Sequence, residues 1–395
     1  MADVKRIALM ASSRSVPGLY EADAEKIYNL HGGNTGNVAF VNAISSHLDG
    51  EVNFVSWDAS PEQLKRSGEV VVIACANQLG PHTDLGRTAA NLDKAGLPIL
   101  ALGLGAQANS QGENTSVTDG TRRWIEVIAA HAPSAGPNIG VRGRYTLQQL
   151  ERLGLPASAA VIGCPSNFTN LSFDYVAAVE RRRAQGVSLV ACAMGHPFSP
   201  ALAAVEQQIL DLVDRTEGTC VVQHGLSMIK LALHEFDRIE ASLLEQTRRY
   251  FRPHLTLEEF KTWCRKRVLA FADVDHWMAW TKRYDFVVGP RFHGVMLALQ
   301  AGVPAGCIAH DSRTLEMCQT MGIPVRMFDS FEEPLTLDNL GSLFPFDASA
   351  YRDTRAALAK EYVSILQAAD LQYDERLDTM AGRPSLALFD NAIPS

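Results

Sequence analysis

Short apolar runs such as Val70-Val-Val-Ile-Ala-Cys75 recur along the chain, and they constrain the fold more than any other feature. In the first half they fall at residues 6–11, 52–57, 70–76, 98–104, 138–141 and 159–162. They are continuous rather than alternating, as expected of strands covered on both faces. Amphipathic stretches at 37–48, 83–94, 121–132 and 145–153 separate them. This alternation predicts a parallel sheet flanked by helices.

The pattern weakens near 167–174 and restarts after a helix expected at 175–185. The second set of strands is expected at 188–193, 220–223, 286–288, 305–309 and 325–328, with helices at 200–216, 256–269, 294–301 and 311–321. The α/β fold class predicted is therefore two Rossmann-like, doubly wound domains facing a cleft. An N-terminal domain over 1–175 is followed by a C-terminal domain over 176–347 with a helical insertion at about 226–283. A C-terminal helix and tail, 348–395, packs across both. With 47% apolar residues the 395-residue chain can bury two cores. A basic run inside the insertion, Arg248-Arg249, Arg252 and Arg265-Lys266-Arg267, reads as a solvated helix face or as a guide for an acidic acceptor.

A formal charge of −8 argues against a nucleic-acid or anionic-membrane partner, since phosphate backbones demand a positive field. No apolar run reaches the length of a membrane span. Seven scattered cysteines without CxxC spacing fit reduced core thiols in a cytoplasmic protein, and no zinc site is expected. Association of like chains is left open.

The sharpest local signal is Val288-Gly-Pro-Arg-Phe-His-Gly294, where a buried strand runs into a helix. Polar residues at the C-terminal end of a parallel strand face the ligand crevice. A helix start there favours an anion. Arg291 offers a bidentate donor for carboxylate or phosphate. His293 has an ordinary pKa near 6.5, suited to proton donation, and Gly294 is expected to let a ligand approach the backbone. Other loops at strand ends are His31-Gly-Gly-Asn-Thr-Gly-Asn37, with Asn34, Gly36 and Asn37 as candidates, and Leu102-Gly-Leu-Gly-Ala-Gln-Ala108, with Gln107. The latter formally matches GxGxxA but no helix follows it, so it is not a dinucleotide fingerprint. Arg142 and Arg144 follow one strand, and Arg313 follows another. Cys164 has no base nearby in sequence and is not read as a nucleophile. Asp273-Val-Asp275 resembles a DxD metal signature but is read as a helix cap.

In order, Gly33-Asn-Thr-Gly-Asn37, Gly103-Leu-Gly-Ala-Gln107, Val141-Arg142, Gly163-Cys-Pro165, Gly289-Pro-Arg-Phe-His-Gly294, Ala298-Leu-Gln-Ala-Gly-Val-Pro304 and Asp311-Ser-Arg-Thr314 resemble the polysaccharide pyruvyl transferase family. The resemblance implies a fold like that of GT-B glycosyltransferases. It also implies transfer of a pyruvyl group from phosphoenolpyruvate onto two hydroxyls of a sugar or glycan acceptor, forming a ketal. His293 would be the general acid, Arg291 or Arg142 with the Gly294 amide region would hold the donor, and no metal or cofactor is expected. One departure is Asn37, where many members carry Asp. Two other readings use the same cleft: a nucleotide-sugar glycosyltransferase and a non-catalytic glycan- or anion-binding relative.

Overall fold

Continuous burial is what the apolar runs were read for, and the strands they form carry it. The structure is a computed structural model that describes residues 5–107, 114–155, 158–195 and 198–382. Ala108 and the tail 383–395 lie outside the described residues. The first sheet comprises β1 (Arg6–Met10), β2 (Glu51–Val55), β3 (Val70–Ala74), β4 (Ile99–Leu104), β5 (Ile139–Val141) and β6 (Ala159–Val161). The strands are all parallel, in the order β2-β1-β3-β4-β5-β6. Every residue of β3 and β4 is buried, as a two-faced strand requires.

The second sheet comprises β7 (Val190–Ala193), β8 (Thr219–Val221), β9 (Val268–Leu269), β10 (Phe286–Gly289), β11 (Ala305–Ala309) and β12 (Val325–Met327). Its order is β9-β8-β7-β10-β11-β12, again all parallel. That is the Rossmann order, with its switch point between β7 and β10. The chain thus folds as two doubly wound units facing a cleft, a GT-B-like arrangement.

Three local readings are corrected. β9 falls inside the stretch expected to be a helical insertion, so the helices Leu226–Ala232, Ala241–Phe251 and Leu257–Arg267 form a crossover between β8 and β9. A two-residue strand leaves too little apolar pattern to notice. The short helix Pro61–Ser67 was not expected, although Ser60-Pro-Glu-Gln63 forms a full capping box with Pro at its start. Finally, the two units do not bury separate cores only. One apolar cluster takes residues from both, joining Phe40 and Ile44 to Val295, Met296 and Leu299 beside Ile365 and Leu366.

The basic run of the crossover is largely engaged. Arg252 is fully buried against Asp211 and Asp214, at 3.2 and 2.9 Å, and Arg248 pairs with Glu245 at 2.7 Å. Among the described residues no helix is long and apolar enough to cross a membrane.

The C-terminal helix Ala348–Ala368 touches β5, β6 and the helix Ser312–Met321, and so contacts both units. From it, Arg355 reaches the segment that joins the two sheets. This guanidinium is fully buried and donates to the carbonyl oxygens of Asn167 (2.8 Å), Ser172 (3.3 Å) and Asn170. The rings of Phe168, Phe173 and Tyr175 surround it at 5.3–5.9 Å. Arg355→Met keeps the stem but strips three carbonyls of a charged donor. Such bonds contribute about 1.5–3 kcal/mol, so chemical denaturation should show a loss of at least that size. A loss well under about 1 kcal/mol would mean that the segment is held by packing alone.

Candidate active site

Both sheets present the C-terminal ends of their strands to a single cavity of about 940 Å³. From the first unit come Ser12 after β1, Asn77 and Gln78 after β3, Gln107 after β4 and Arg142 after β5. From the second come Gln223 and His224 after β8, Arg291 and His293 after β10, and His310 and Arg313 after β11. This is the crevice side of each parallel sheet.

Arg142 is buried and donates from Nε to the Gly103 carbonyl at 2.7 Å and from Nη2 to the Cys75 carbonyl at 3.2 Å. Its Nη1 meets the Met317 sulfur of the other unit at 3.5 Å, and its guanidinium lies over the Phe40 ring. Among the described residues these partners are all neutral, and burial lowers its pKa. Arg291 occupies the cap position of the helix Phe292–Gln300. Burial, and next the neighbouring Arg313, push its pKa down to about 10. The Nε atoms of Arg291 and Arg313 are both buried without a hydrogen-bond acceptor among the described residues. Arg313 donates from Nη2 to Asp311 at 3.4 Å. Behind Arg291 sits Glu206, whose carboxyl accepts from the Gly195 amide (2.9 Å) and the Tyr250 hydroxyl (2.8 Å). Burial raises its pKa to about 7, so it supplies only part of a countercharge.

His293 lies between the Phe40 and Phe292 rings, at 5.8 and 5.3 Å. Burial first, and then Arg142, Arg313 and Arg291, depress its pKa to about 3. The ring is therefore neutral at pH 7 in the ligand-free protein. This differs from the ordinary value taken from the sequence, because the fold buries the ring and brings Arg142 and Arg313 from distant segments to join Arg291. Its Nε2 lies 3.8 Å from Cys164 Sγ, which accepts from Ser166 Oγ at 3.1 Å. Cys164 thus does have a base beside it, contrary to the sequence reading. Its sulfur is fully buried and lies outside the cavity lining.

The first glycine loop closes over this ring. Asn34 Oδ1 accepts from the Gly36 amide at 2.8 Å, and Asn37 Nδ2 donates to the His31 carbonyl at 2.9 Å. A Cβ at Gly36 would sit 3.1 Å from His293 Nδ1 and 3.0 Å from Asn34 Oδ1, so a glycine lets the loop approach. Asn34 and Asn37 line the cavity, as does Gln107, whose Oε1 accepts from Asn77.

Three candidates are placed elsewhere. Gly36, packed against Gln223 and His293, does not line the cavity. Arg144 is exposed at the start of the helix Arg144–Arg152 and borders a separate hollow with Glu316 and Leu358. Its neighbour Arg142 still belongs to the strand exit, whereas Arg144 has already turned into the helix. Gly294 does not line the cavity. A Cβ there would lie 2.8 Å from Ala193 Cβ and 3.0 Å from Gln223 Nε2, so the glycine lets the helix pack on β7. Asp273 caps the helix Val274–Thr281 by accepting from His276, and no group of three metal-ligating side chains occurs among the described residues. Sequence reasoning missed Gln223, His224 and His310, although each directly follows a strand, and also Phe54 and Trp57. Overpacking typically costs about 1–3 kcal/mol, so Gly294→Ala should lower the unfolding free energy by that amount. Unchanged stability with weakened ligand binding would return Gly294 to the cavity wall.

A comparison with curated proteins gives no match. Solved structures similar to the chain include S. aureus MnaA with UDP, at 10% identity and a TM-score of 0.44, covering 91% of this chain and 97% of that one. A UDP-N-acetylglucosamine 2-epimerase from Rickettsia bellii has 10% identity and a TM-score of 0.43, covering 91% and 95%. Anabaena Alr3699/HepE with UDP has 10% identity and a TM-score of 0.42, covering 98% and 100%. The polysaccharide pyruvyl transferase model matches residues 34–312, which take in the first glycine loop, Arg142 and residues 291–294. On that match over most of its length, the chain belongs to the polysaccharide pyruvyl transferase family of transferases.

Proposed function

We propose that the enzyme moves the pyruvyl group of phosphoenolpyruvate onto two hydroxyls of a sugar in a polysaccharide or glycan precursor. The products are a cyclic ketal and phosphate. The observation that carries this reading is the set of Arg142, Arg291 and Arg313 around His293, in a cavity with no Asp, Glu or Lys among its described lining residues. Such a site suits a small, multiply charged anion. Phosphoenolpyruvate brings a carboxylate and a phosphate, each able to take a bidentate guanidinium.

The proton inventory then follows. Burial is the first cause that depresses His293 and the three cations come next; donor binding counters the cations and so raises the pKa of the ring in the complex. The imidazolium protonates the methylene carbon of the donor, and the adjoining carbon takes on oxocarbenium character. The first sugar hydroxyl adds there and returns its proton to His293. Phosphate leaves and carries away the proton of the second hydroxyl as the ring closes. The arginines stabilise the departing phosphate throughout. The donor itself is the only small molecule this scheme uses besides the acceptor.

Thermal-shift titration should show stabilisation by phosphoenolpyruvate and a weaker effect of phosphate, with none from UDP-sugars. Mass analysis with a glycan panel should find a gain of one pyruvyl ketal. A shift with UDP-sugars alone would favour glycosyl transfer instead. Arg291→Gln should weaken donor binding about 10- to 100-fold, the worth of a charge-assisted bond. It should leave the melting temperature of the free protein unchanged or higher, because Arg313 then loses a like-charged neighbour. Unchanged donor affinity would remove Arg291 from the site.

His293→Gln should lower turnover about 10²–10⁴-fold, the usual worth of acid–base catalysis, with a smaller effect on donor binding. The acid form is the active one on the complex. Wild-type turnover should therefore fall as pH rises through the raised pKa, and the residual activity of the variant should lack that limb. Lost donor binding with normal turnover at saturation would make His293 a phosphate anchor.

A further inference from the structure

Donor chemistry accounts for the arginine side of the cavity and leaves its other wall unused. That wall is built where β2 ends. Phe54 is 40% exposed, one of few large apolar side chains on this molecule left so open. Together with Trp57 it lines the same cavity as Arg142, Arg291 and Arg313. Trp57 is braced from behind by the fully buried Trp124, with ring centroids 6.2 Å apart. An aromatic side chain left open inside a polar cavity needs a partner that is flat, partly apolar and soluble.

Three carboxamides line the same cavity along the strand ends that lead from this wall toward Arg142: Asn77 and Gln78 after β3, and Gln107 after β4. Asn77 donates to Gln107 Oε1, and Gln78 Oε1 accepts from the Ala76 amide at 2.6 Å. Each amide therefore has one end fixed by the protein. The other ends, Asn77 Oδ1, Gln107 Nε2 and Gln78 Nε2, bond no described residue, so the wall offers both acceptors and donors. Hydroxyls use both. The cavity itself has no Asp, Glu or Lys among its described lining residues, and the nearest charges of this wall, Asp58 and Arg66, line the adjoining hollow on the other side of Phe54. In the basic run of the crossover, Arg248, Arg249 and Arg252 are engaged with carboxylates of their own. A cavity of about 940 Å³ is also large for a three-carbon phosphate alone.

We infer that this wall is the acceptor subsite and that it takes a neutral sugar residue. The sugar would stack a C–H face on Phe54 and Trp57 and share its hydroxyls with Asn77, Gln78 and Gln107. The inference rests on the pyruvyl-transfer reading for the word acceptor, but its test does not need turnover. Saturation-transfer NMR would be run on the wild type with neutral hexose di- and trisaccharides, and with sulfated and uronic-acid counterparts. Neutral saccharides should give the signal. Phe54→Ala should weaken it about tenfold or more, and Phe54→Trp should restore it. Thermal stabilisation by phosphoenolpyruvate should be the same in all three proteins, which also shows that the exposed substitutions leave the fold intact. Absence of binding by every neutral saccharide, preference for the anionic set, or wild-type affinity in Phe54→Ala would each overturn the proposal. Saccharide binding that needs Phe54, without any response to phosphoenolpyruvate, would instead sink the donor reading and leave this subsite standing.

Discussion

The buried guanidinium of Arg355 fixes the geometry on which everything else rests. Each parallel sheet has its own helices, and a shared apolar cluster brings the two together. The segment between β6 and β7 enters that cluster through Ile162, Phe168, Val176 and Val179, and its carbonyls need a polar partner there. Arg355 gathers the carbonyls of Asn167, Asn170 and Ser172, and Gln300 of the second unit accepts from the Asn170 amide at 2.9 Å. His47 of the first unit bonds the Phe168 carbonyl at 2.9 Å and meets the Tyr362 hydroxyl at 3.2 Å. Both units and the C-terminal helix therefore grip one short stretch. The consequence reaches the cavity, where Arg142 of one unit meets Met317 of the other and Cys164 meets His293. Small shifts of the junction would separate these pairs, and a misplacement of about 1 Å is enough to cost a reaction two orders of magnitude.

The cavity itself is held in electrostatic tension. Arg313 opposes Arg291, and all three arginines oppose protonation of His293. Asp311 pairs with Arg313 at 3.4 Å, and Glu206, which burial raises to about 7, offers a partial countercharge behind Arg291. Folding bears this cost because the shared apolar cluster and the Arg355 clamp supply stability elsewhere. Concentrated like charge of this kind belongs to sites that await a ligand of opposite sign. The same arrangement makes the protonation state of His293 conditional. Burial and the arginines keep the ring neutral when the site is free, and an anion that compensates the arginines raises its basicity. On the proposed reading, donor binding and acid catalysis are thereby linked through charge.

Strand positions were legible because two-sided burial writes itself as unbroken apolar runs, and the runs at 70–76, 98–104 and 305–309 each contain a strand. The loops at their ends were legible for the same reason, since topology decides which end faces the crevice. What failed was direction over one or two residues. Arg142 and Arg144 look equivalent in sequence, but the helix begins between them and turns Arg144 outward. Gly294 looks like the other glycines near a ligand, yet the close neighbour that requires it is Ala193 on β7. Phe54 was invisible as a surface feature because an aromatic within a strand run reads as core. The low pKa of His293 was invisible because it depends first on burial and then on arginines at 142, 313 and 291, which only the fold brings together.

Asn37 shows how a departure from the family pattern can be locally coherent. Its amide Nδ2 donates to the His31 carbonyl at 2.9 Å, and this bond pins the loop that lies over His293. A carboxylate at the same place would set oxygen against oxygen and could not make the bond unless it held a proton. The loop therefore suits Asn rather than Asp, even though a helix start otherwise favours an acid. The cost is that position 37 has no base to offer an attacking hydroxyl. On the proposed mechanism the proton goes to a group already inside the cavity: a neutral His293, freshly relieved of its proton by the donor carbon, takes the first, and the departing phosphate takes the second. On that reading one imidazole that first gives and then receives a proton makes a separate carboxylate base unnecessary.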